Sequence, residues 1–425
     1  MTQDKGRSLI GRIWLIMLSI GPGIFCIGYT IGTGSVTSMA KAGSQFGMQL
    51  LWVLTLSCLF SWVLMEAYGR FAVITGDSAM HGFRNRIPFG GPLAIITMIG
   101  VITGQWNALT GILGLSANAI YEGIHLFFPS LSIPEYGSVL GIAIVVILIM
   151  YALLWVGRYS FFEKILVIFV TLMGLSFIVS MFVVFPSPGE IAAGFIPRIP
   201  SASGGKLMVA AFVGTTMAAP TFVVRPLLMK GKGWGKTETS EQSRDAFISA
   251  LLMFIISGSI MAAATGALHH RGMTIERVLD MVRTLEPVAG RFAVGLFLVG
   301  TLSAGLSSVF PIMMVAPLLI ADFRDGELET HTPLFRILTG IACIFGLIVP
   351  VFGANPIAAQ IATQVANVFV LPVVILGIAY LVNNRSYMGK HRAGPLLNTG
   401  MFAAFVFACI ISYTGILALI EFFGS

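Results

Sequence analysis

The chain has 425 residues, of which 56% are hydrophobic and only 10% charged, with a mean hydropathy of +0.92. No soluble fold with a solvated surface has that composition, so a water-soluble enzyme or binding module is excluded and an integral membrane protein remains. The formal charge of +7 needs no nucleic-acid partner, because membrane topology alone concentrates Lys and Arg on one set of loops.

A crossing needs roughly 20 apolar residues. In chain order, stretches of that kind occupy 10–40, 50–73, 87–121, 136–157, 165–189, 207–229, 246–268, 292–321, 337–384 and 393–420. The turn signal Gly353-Ala354-Asn355-Pro356 divides the stretch 337–384, which brings the expected count to about eleven transmembrane helices. All belong to one membrane transport domain, 1–425, in which 10–186 and 207–384 are two five-helix halves and 393–422 is an eleventh helix. The first segment begins with Lys5, Arg7 and Arg12, and no small-residue cleavage site follows it before another crossing, so it reads as a retained helix rather than a signal peptide.

An odd number of crossings puts the termini on opposite sides. With the N-terminus inside, Arg84, Arg86, Lys230, Lys232 and Lys236 join the three N-terminal cations on the cytoplasmic side, and far fewer cations, such as Lys41, Arg198 and Arg271, remain outside. The positive-inside rule therefore favours a cytoplasmic N-terminus and an outer C-terminus, with a bacterial cytoplasmic (inner) membrane as the expected location. The four cysteines, Cys26, Cys58, Cys343 and Cys409, are scattered singly through apolar runs without metal-ligand spacing and read as small hydrophobes. No cofactor is expected. Of the loops, the segment 269–291 is expected to form a surface amphipathic helix with Met273, Ile275, Val278, Leu279 and Val282 as its apolar residues.

Two spans contain stretches that are poor at being helical. "GYTIGTGSVTSMA", residues 28–40, has three glycines and a run of hydroxyls, and "FVGTTMAAPTFVVRPLL", residues 212–228, has Pro220 and Pro226. They fall at corresponding places in the first and sixth spans. Either alone is equally well explained by small residues at a close helix crossing. Together they predict two five-helix units repeated with inverted topology, in which broken helices line a buried, wet cavity and offer freed backbone groups to a solute.

These residues also carry a family resemblance. "IGYTIGTGSVTSMAKAGSQFGMQLLW" with "RFAVITG" resembles the first two helices of the NRAMP (natural resistance-associated macrophage protein) divalent-metal transporters. "FVGTTMAAPTF" is similar to their sixth helix, and "FFEKIL", "AGLSS", "TQVAN" and "YMG" match in the same order over nearly the whole chain. The resemblance implies a LeuT-like fold, an all-α integral membrane protein with inverted repeats, broken helices 1 and 6, and alternating access.

The departures bear on substrate. Where the family pattern reads Asp-Pro-Gly-Asn, this chain has Gly32, Thr33, Gly34 and Ser35, and Thr215 and Ala218, with Met217 beside them, stand where the family uses a carbonyl and a thioether. Arg225 replaces a family histidine, and Gly104, Gly111 and Gly114 stand where the third helix carries proton-path acids. A dehydrated Mn²⁺ or Fe²⁺ prefers anionic or soft ligands, whereas neutral oxygens suit an ion that keeps its water, such as Mg²⁺. The substrate-binding residues implied are Gly32, Thr33, Gly34, Ser35, Thr215, Met217, Ala218, Gln364 and Asn367. The usual proton coupling is not expected.

Other polar residues have competing readings. Glu66 stands four residues before Arg70, which favours an i,i+4 pair over a functional acid. Arg225 lies only five residues before Lys230, about 8 Å along a helix, which favours snorkelling of its guanidinium to the surface. The alternative places it in the inner vestibule, repelling cations and attracting an anion. Glu163 beside Lys164 reads as an interfacial pair. Gln364 and Asn367 serve ligand contact or interhelical bonding about equally well. The leading function is thus secondary transport of a metal ion. The alternatives are a small polar or anionic solute on the same scaffold, a non-transporting membrane sensor, and, weakest, an intramembrane hydrolase using Ser35 or Ser307, which lacks a base within reach.

Overall fold

The computed structural model describes residues 22–424, apart from 129–133, 156–158, 202–203, 278–279, 281–285 and 325–330. Every regular element among the described residues is helical. The principal helices are α1 (Gly23–Thr30), α2 (Thr33–Phe46), α3 (Leu51–Thr75), α4 (Gly90–Phe127), α5 (Glu135–Leu154), α6 (Tyr159–Val183), α7 (Gly205–Thr216), α8 (Ala219–Gly231), α9 (Thr239–Ala267), α10 (Glu286–Arg324), α11 (Pro333–Gly346), α12 (Pro356–Asn367), α13 (Leu371–Asn383) and α14 (Pro395–Gly424). Ten helical stretches among the described residues are long and apolar enough to cross a membrane. The short pair α1 and α2 adds the broken first span, part of which (residues 10–21) lies outside the described residues.

Both predicted breaks are present. Between α1 and α2 the chain leaves the helical region at Ile31 (φ −105°, ψ 67°) and is fully extended at Gly32 (φ −98°, ψ −168°). Glycine is required at 32 by space rather than by angle, since a Cβ there would stand 3.0 Å from the Cβ of Ser308 and closer still to its hydroxyl. Between α7 and α8 the helix opens at Met217 (φ −100°, ψ 43°) and Ala218 (φ −61°, ψ 120°). Pro220 sits in the first turn of α8, where its missing N–H costs nothing.

In lipid, helices are held together by close packing rather than by the hydrophobic effect, and small residues let backbones meet. Here α9 lies along α2 and α3, α10 braces α4 and α6, and α12 is wedged between α4 and α7. At three crossings a glycine rests on a backbone carbonyl of the facing segment: Gly43 on Met261, Gly214 on Gln364 and Gly266 on Val184. The periphery is apolar and exposed, as with Ile96 and Ile99 on α4, Leu148 on α5 and Phe402 and Ile410 on α14. In water that surface would be an aggregation hazard; facing lipid it is required.

At the end of the bundle carrying the Lys230 cluster, Arg225 departs from the sequence expectation. It is 0% exposed and does not snorkel. Its Nη2 lies 2.7 Å from Oδ2 of Asp245 and donates to the Gln242 carbonyl at 3.2 Å. Nη1 faces Cys26 Sγ at 3.8 Å, and the Gly23 amide donates to the other Asp245 oxygen at 3.3 Å. The reason is that α9 begins at Thr239, so Asp245, which the sequence places in a loop, is already one turn inside the bundle. Glu66 does pair with Arg70 (3.0 Å), and it also accepts from Gln242 Nε2 (2.7 Å) and Ser243 Oγ (2.8 Å). One network thus ties α1, α3, α8 and α9.

At the opposite end, residues 268–277 run as a strap rather than as the expected surface helix. Met273 to Glu276 is non-helical, and Ile275 is buried, with its amide donating to Ser44 Oγ at 3.3 Å. Lys41 reaches Glu276 at 3.4 Å, and Asn355 Nδ2 donates to the Glu276 carbonyl at 3.3 Å. Val278, Leu279 and Val282 lie outside the described residues. Nearby, the hydrogen bond from His270 (2.7 Å) holds the Glu190 carboxyl below its ordinary range.

Removing one member of a buried ion pair strands the other, which costs about 3–5 kcal/mol, whereas replacing both with apolar groups costs far less. Arg225→Met or Asp245→Leu alone should therefore lower the melting temperature of the detergent-purified protein sharply, and the two combined should lose less than the sum. Additive losses would mean that the two side chains do not act as a pair.

Candidate functional site

The two breaks meet. Thr215 Oγ1 donates to the carbonyl of Thr30 at 3.1 Å, so the end of α7 is bonded across to the end of α1. Ser308 of α10 donates to the Gly28 carbonyl at 2.7 Å, and Ser61 of α3 donates to the Thr216 carbonyl at 2.9 Å. Carbonyls at both interrupted helix ends, which have no water to turn to in a bilayer, are thus capped by hydroxyls from neighbouring helices.

Beside these bonds lies a small cavity lined by Gly32, Gly34, Gln105, Ala108, Ile112, Thr215, Ala218, Ser308, Ile312, Gln360, Gln364 and Asn367. It measures about 10 Å³, room for a single water. No ionisable side chain lines it. What it offers is four carboxamides, two hydroxyls whose protons are already given to the backbone, and the main chain of a broken helix. A hydroxyl that has donated its proton keeps lone pairs to accept from a ligand.

Among the residues singled out from sequence, Gly32, Gly34, Thr215, Ala218, Gln364 and Asn367 line this cavity. Gln364 and Asn367 are joined to each other, Asn367 Nδ2 donating to Gln364 Oε1 at 3.3 Å. Thr33, Ser35 and Met217 are buried but outside the cavity wall. Successive residues of a helix point about 100° apart, and Ser35 turns towards α9, where it meets Ser257 Oγ at 3.3 Å. Arg225 is not part of the cavity, and its charge is matched by Asp245.

Gln105, Ser308 and Gln360 are the polar lining residues not anticipated from sequence. A signal existed for one of them. Gln360, Gln364 and Asn367 recur at i, i+4 and i+7 on α12, a polar stripe on one helix face. The glycines of α4 make room for it: a Cβ at Gly104 would strike Asn367 Oδ1, and one at Gly111 would strike Gln360 Oε1. At two of the three positions where the resemblance expects acids, a carboxamide from α12 occupies the space instead.

Comparison with known proteins agrees with this architecture. The family model described as "natural resistance-associated macrophage protein-like" matches residues 23–418. The divalent metal cation transporter MntH of Brucella suis is 25% identical over 422 residues, covering 95% of this chain and 88% of that protein. The crystal structure of a histidine-to-alanine mutant of the Eremococcus coleocola manganese transporter superposes with a TM-score of 0.71 at 17% identity, covering 99% of this chain and 90% of that one. The amino-acid-bound transporter MhsT superposes with a TM-score of 0.65 at 14% identity, covering 94% and 98%, which extends the likeness to the wider LeuT-type fold. The two interrupted helices, their place in the two halves and the match along almost the entire chain make this protein a member of the natural resistance-associated macrophage protein (Nramp) family.

Proposed function

We propose that this Nramp-family protein is a secondary transporter of a divalent metal cation, carried at the junction of the two helix breaks with part of its water shell retained and without the usual proton coupling. The observation that carries the reading is the chemistry of the cavity wall: carboxamide and hydroxyl oxygens with no carboxylate, thiolate or imidazole. The relatives named as divalent metal and manganese transporters favour a metal cargo. Neutral oxygens do not repay full dehydration of such an ion. They do accept hydrogen bonds from its bound water, and Mg²⁺, which sheds water reluctantly, fits that arrangement best.

The arginine that argued against a cation no longer does so, because Asp245 neutralises it at 2.7 Å. The size of the cavity argues for alternating access. The cavity of about 10 Å³ holds a single water, too little for an ion with several. A water-clad ion enters only when helix halves part on one side. On the orientation favoured by the positive-inside rule, the Arg225–Asp245 network is the cytoplasmic closure and the strap 268–277 lies over the outer one.

Proteoliposomes loaded with a metal dye and a pH dye test this. Mg²⁺ and Mn²⁺ should enter without acidifying the lumen, and the rate should stay flat between about pH 6 and pH 8, since no group titrating there lines the site. Entry that requires an inward proton gradient would overturn the uncoupled mechanism. Entry of neither ion would overturn the metal reading and favour a small polar solute.

Thr215→Val keeps the shape but removes the bond to the Thr30 carbonyl. It should cut Mg²⁺ uptake by about tenfold, in line with roughly 1–3 kcal/mol for a stranded buried acceptor. An unchanged rate would show that the bridge between the breaks is dispensable.

A further inference from the structure

Three buried polar groups on the cavity wall and behind it have no hydrogen-bond partner among the described residues. Gln360 is 0% exposed, yet neither Oε1 nor Nε2 is bonded. Ser116 Oγ on α4 and Thr33 Oγ1 on α2 are likewise buried and unpartnered. The amide of Gln360 fills the notch left by Gly34 and Gly111, with Nε2 2.7 Å from where a Cβ of Gly34 would stand. Ser116 Oγ and the methyl group of Thr33 both crowd the bare face of Gly305.

Their position has a direction. On α12, Gln364 and Gln360 line the cavity, and Pro356, one turn further, lines a separate pocket of about 540 Å³ with Asn118, Glu122, Glu135 and Arg277. On α4, Ile112 lines the cavity and Asn118 the pocket, with Ser116 between them. Gln360 and Ser116 therefore lie between the closed cavity and a large pocket that carries Glu122, Glu135 and Arg277. Cavity and pocket are about four to six residues apart, roughly 6–9 Å along a helix.

Buried carboxamides and hydroxyls are almost always satisfied, and these exceptions at the cavity wall and behind it point to a polar visitor. We propose that Gln360, Ser116 and Thr33 form a second subsite on the pocket side of the central cavity, with Gln360 shared between the two, that accepts hydrogen bonds from the bound water of a divalent cation passing between pocket and cavity. Water on a dication is a strengthened donor, and Gln360 Oε1 and the two hydroxyl oxygens are free acceptors. This subsite rests on the metal-transport reading above.

Substitution at 360 separates a ligand site from a structural one by the sign of its effect on stability. Gln360→Leu removes two unsatisfied buried groups and should raise the melting temperature, while raising the KM for Mg²⁺ in proteoliposomes about tenfold. Gln360→Glu keeps the acceptor and should leave the KM at or below that of the wild type. Hexaamminecobalt(III), whose inert ammine N–H groups stand in for bound water, should inhibit wild-type Mg²⁺ uptake and do so about tenfold less well in Gln360→Leu.

If wild type and Gln360→Leu share the same KM and the same inhibition, or if Gln360→Glu behaves as Gln360→Leu, the subsite is overturned while metal transport stands. A lower melting temperature in Gln360→Leu would also overturn it, by showing that the carboxamide is structural. If the wild type carries neither Mg²⁺ nor Mn²⁺, the metal reading falls, and the subsite as a cation site falls with it.

Discussion

A backbone interrupted at membrane depth must find its hydrogen bonds within the protein, and this fold is arranged around that obligation. Thr215 answers the Thr30 carbonyl, Ser308 that of Gly28, and Ser61 that of Thr216. Each bond joins a broken helix to a different neighbour, so the breaks stay open only while the surrounding helices stay in register. Remove the hydroxyls and the unsatisfied carbonyls would favour rewinding, since helix is the default in lipid. The position of the cavity follows from these three bonds.

The second constraint is electrical. A guanidinium with no exposed surface persists only with a matched anion and shared hydrogen bonds. Asp245 supplies the anion, and the Gln242 carbonyl and Cys26 accept from Nη2 and Nη1. Because these partners belong to α1 and α9 while Arg225 belongs to α8, the same residues that neutralise the charge hold the short half-helix α1 against the bundle. The cavity wall, by contrast, is electrically neutral, so positive charge is matched in one layer of the protein and absent from the next.

The class of fold could be read directly from the residues. Long apolar runs gave the spans, and glycine and proline at corresponding places in two halves gave the interruptions, because local chemistry decides both. The contents of the cavity were only partly legible. Gly32, Gly34, Thr215 and Ala218 lie where the breaks are, but the turn of α2 carries Thr33 and Ser35 away from the wall. Gln360 shows the opposite failure. It sits on the same helix face as Gln364 and Asn367, a periodic signal present in the sequence and not used. Arg225 was misread because snorkelling is judged from distance along one helix, whereas its fate depended on where another helix begins. Pairings between distant segments, like those of the strap at 268–277, leave no local trace.

The seat of Gly214 on the Gln364 carbonyl has a mechanical consequence. Helices separated by layers of side chains slide by letting those side chains change rotamer, but here backbone rests on backbone and there is nothing to shear. Relative motion of α7 and α12 is then a rotation about that point. A fulcrum placed beside the cavity would swing the far ends of both helices through a long arc and hardly displace the cavity walls.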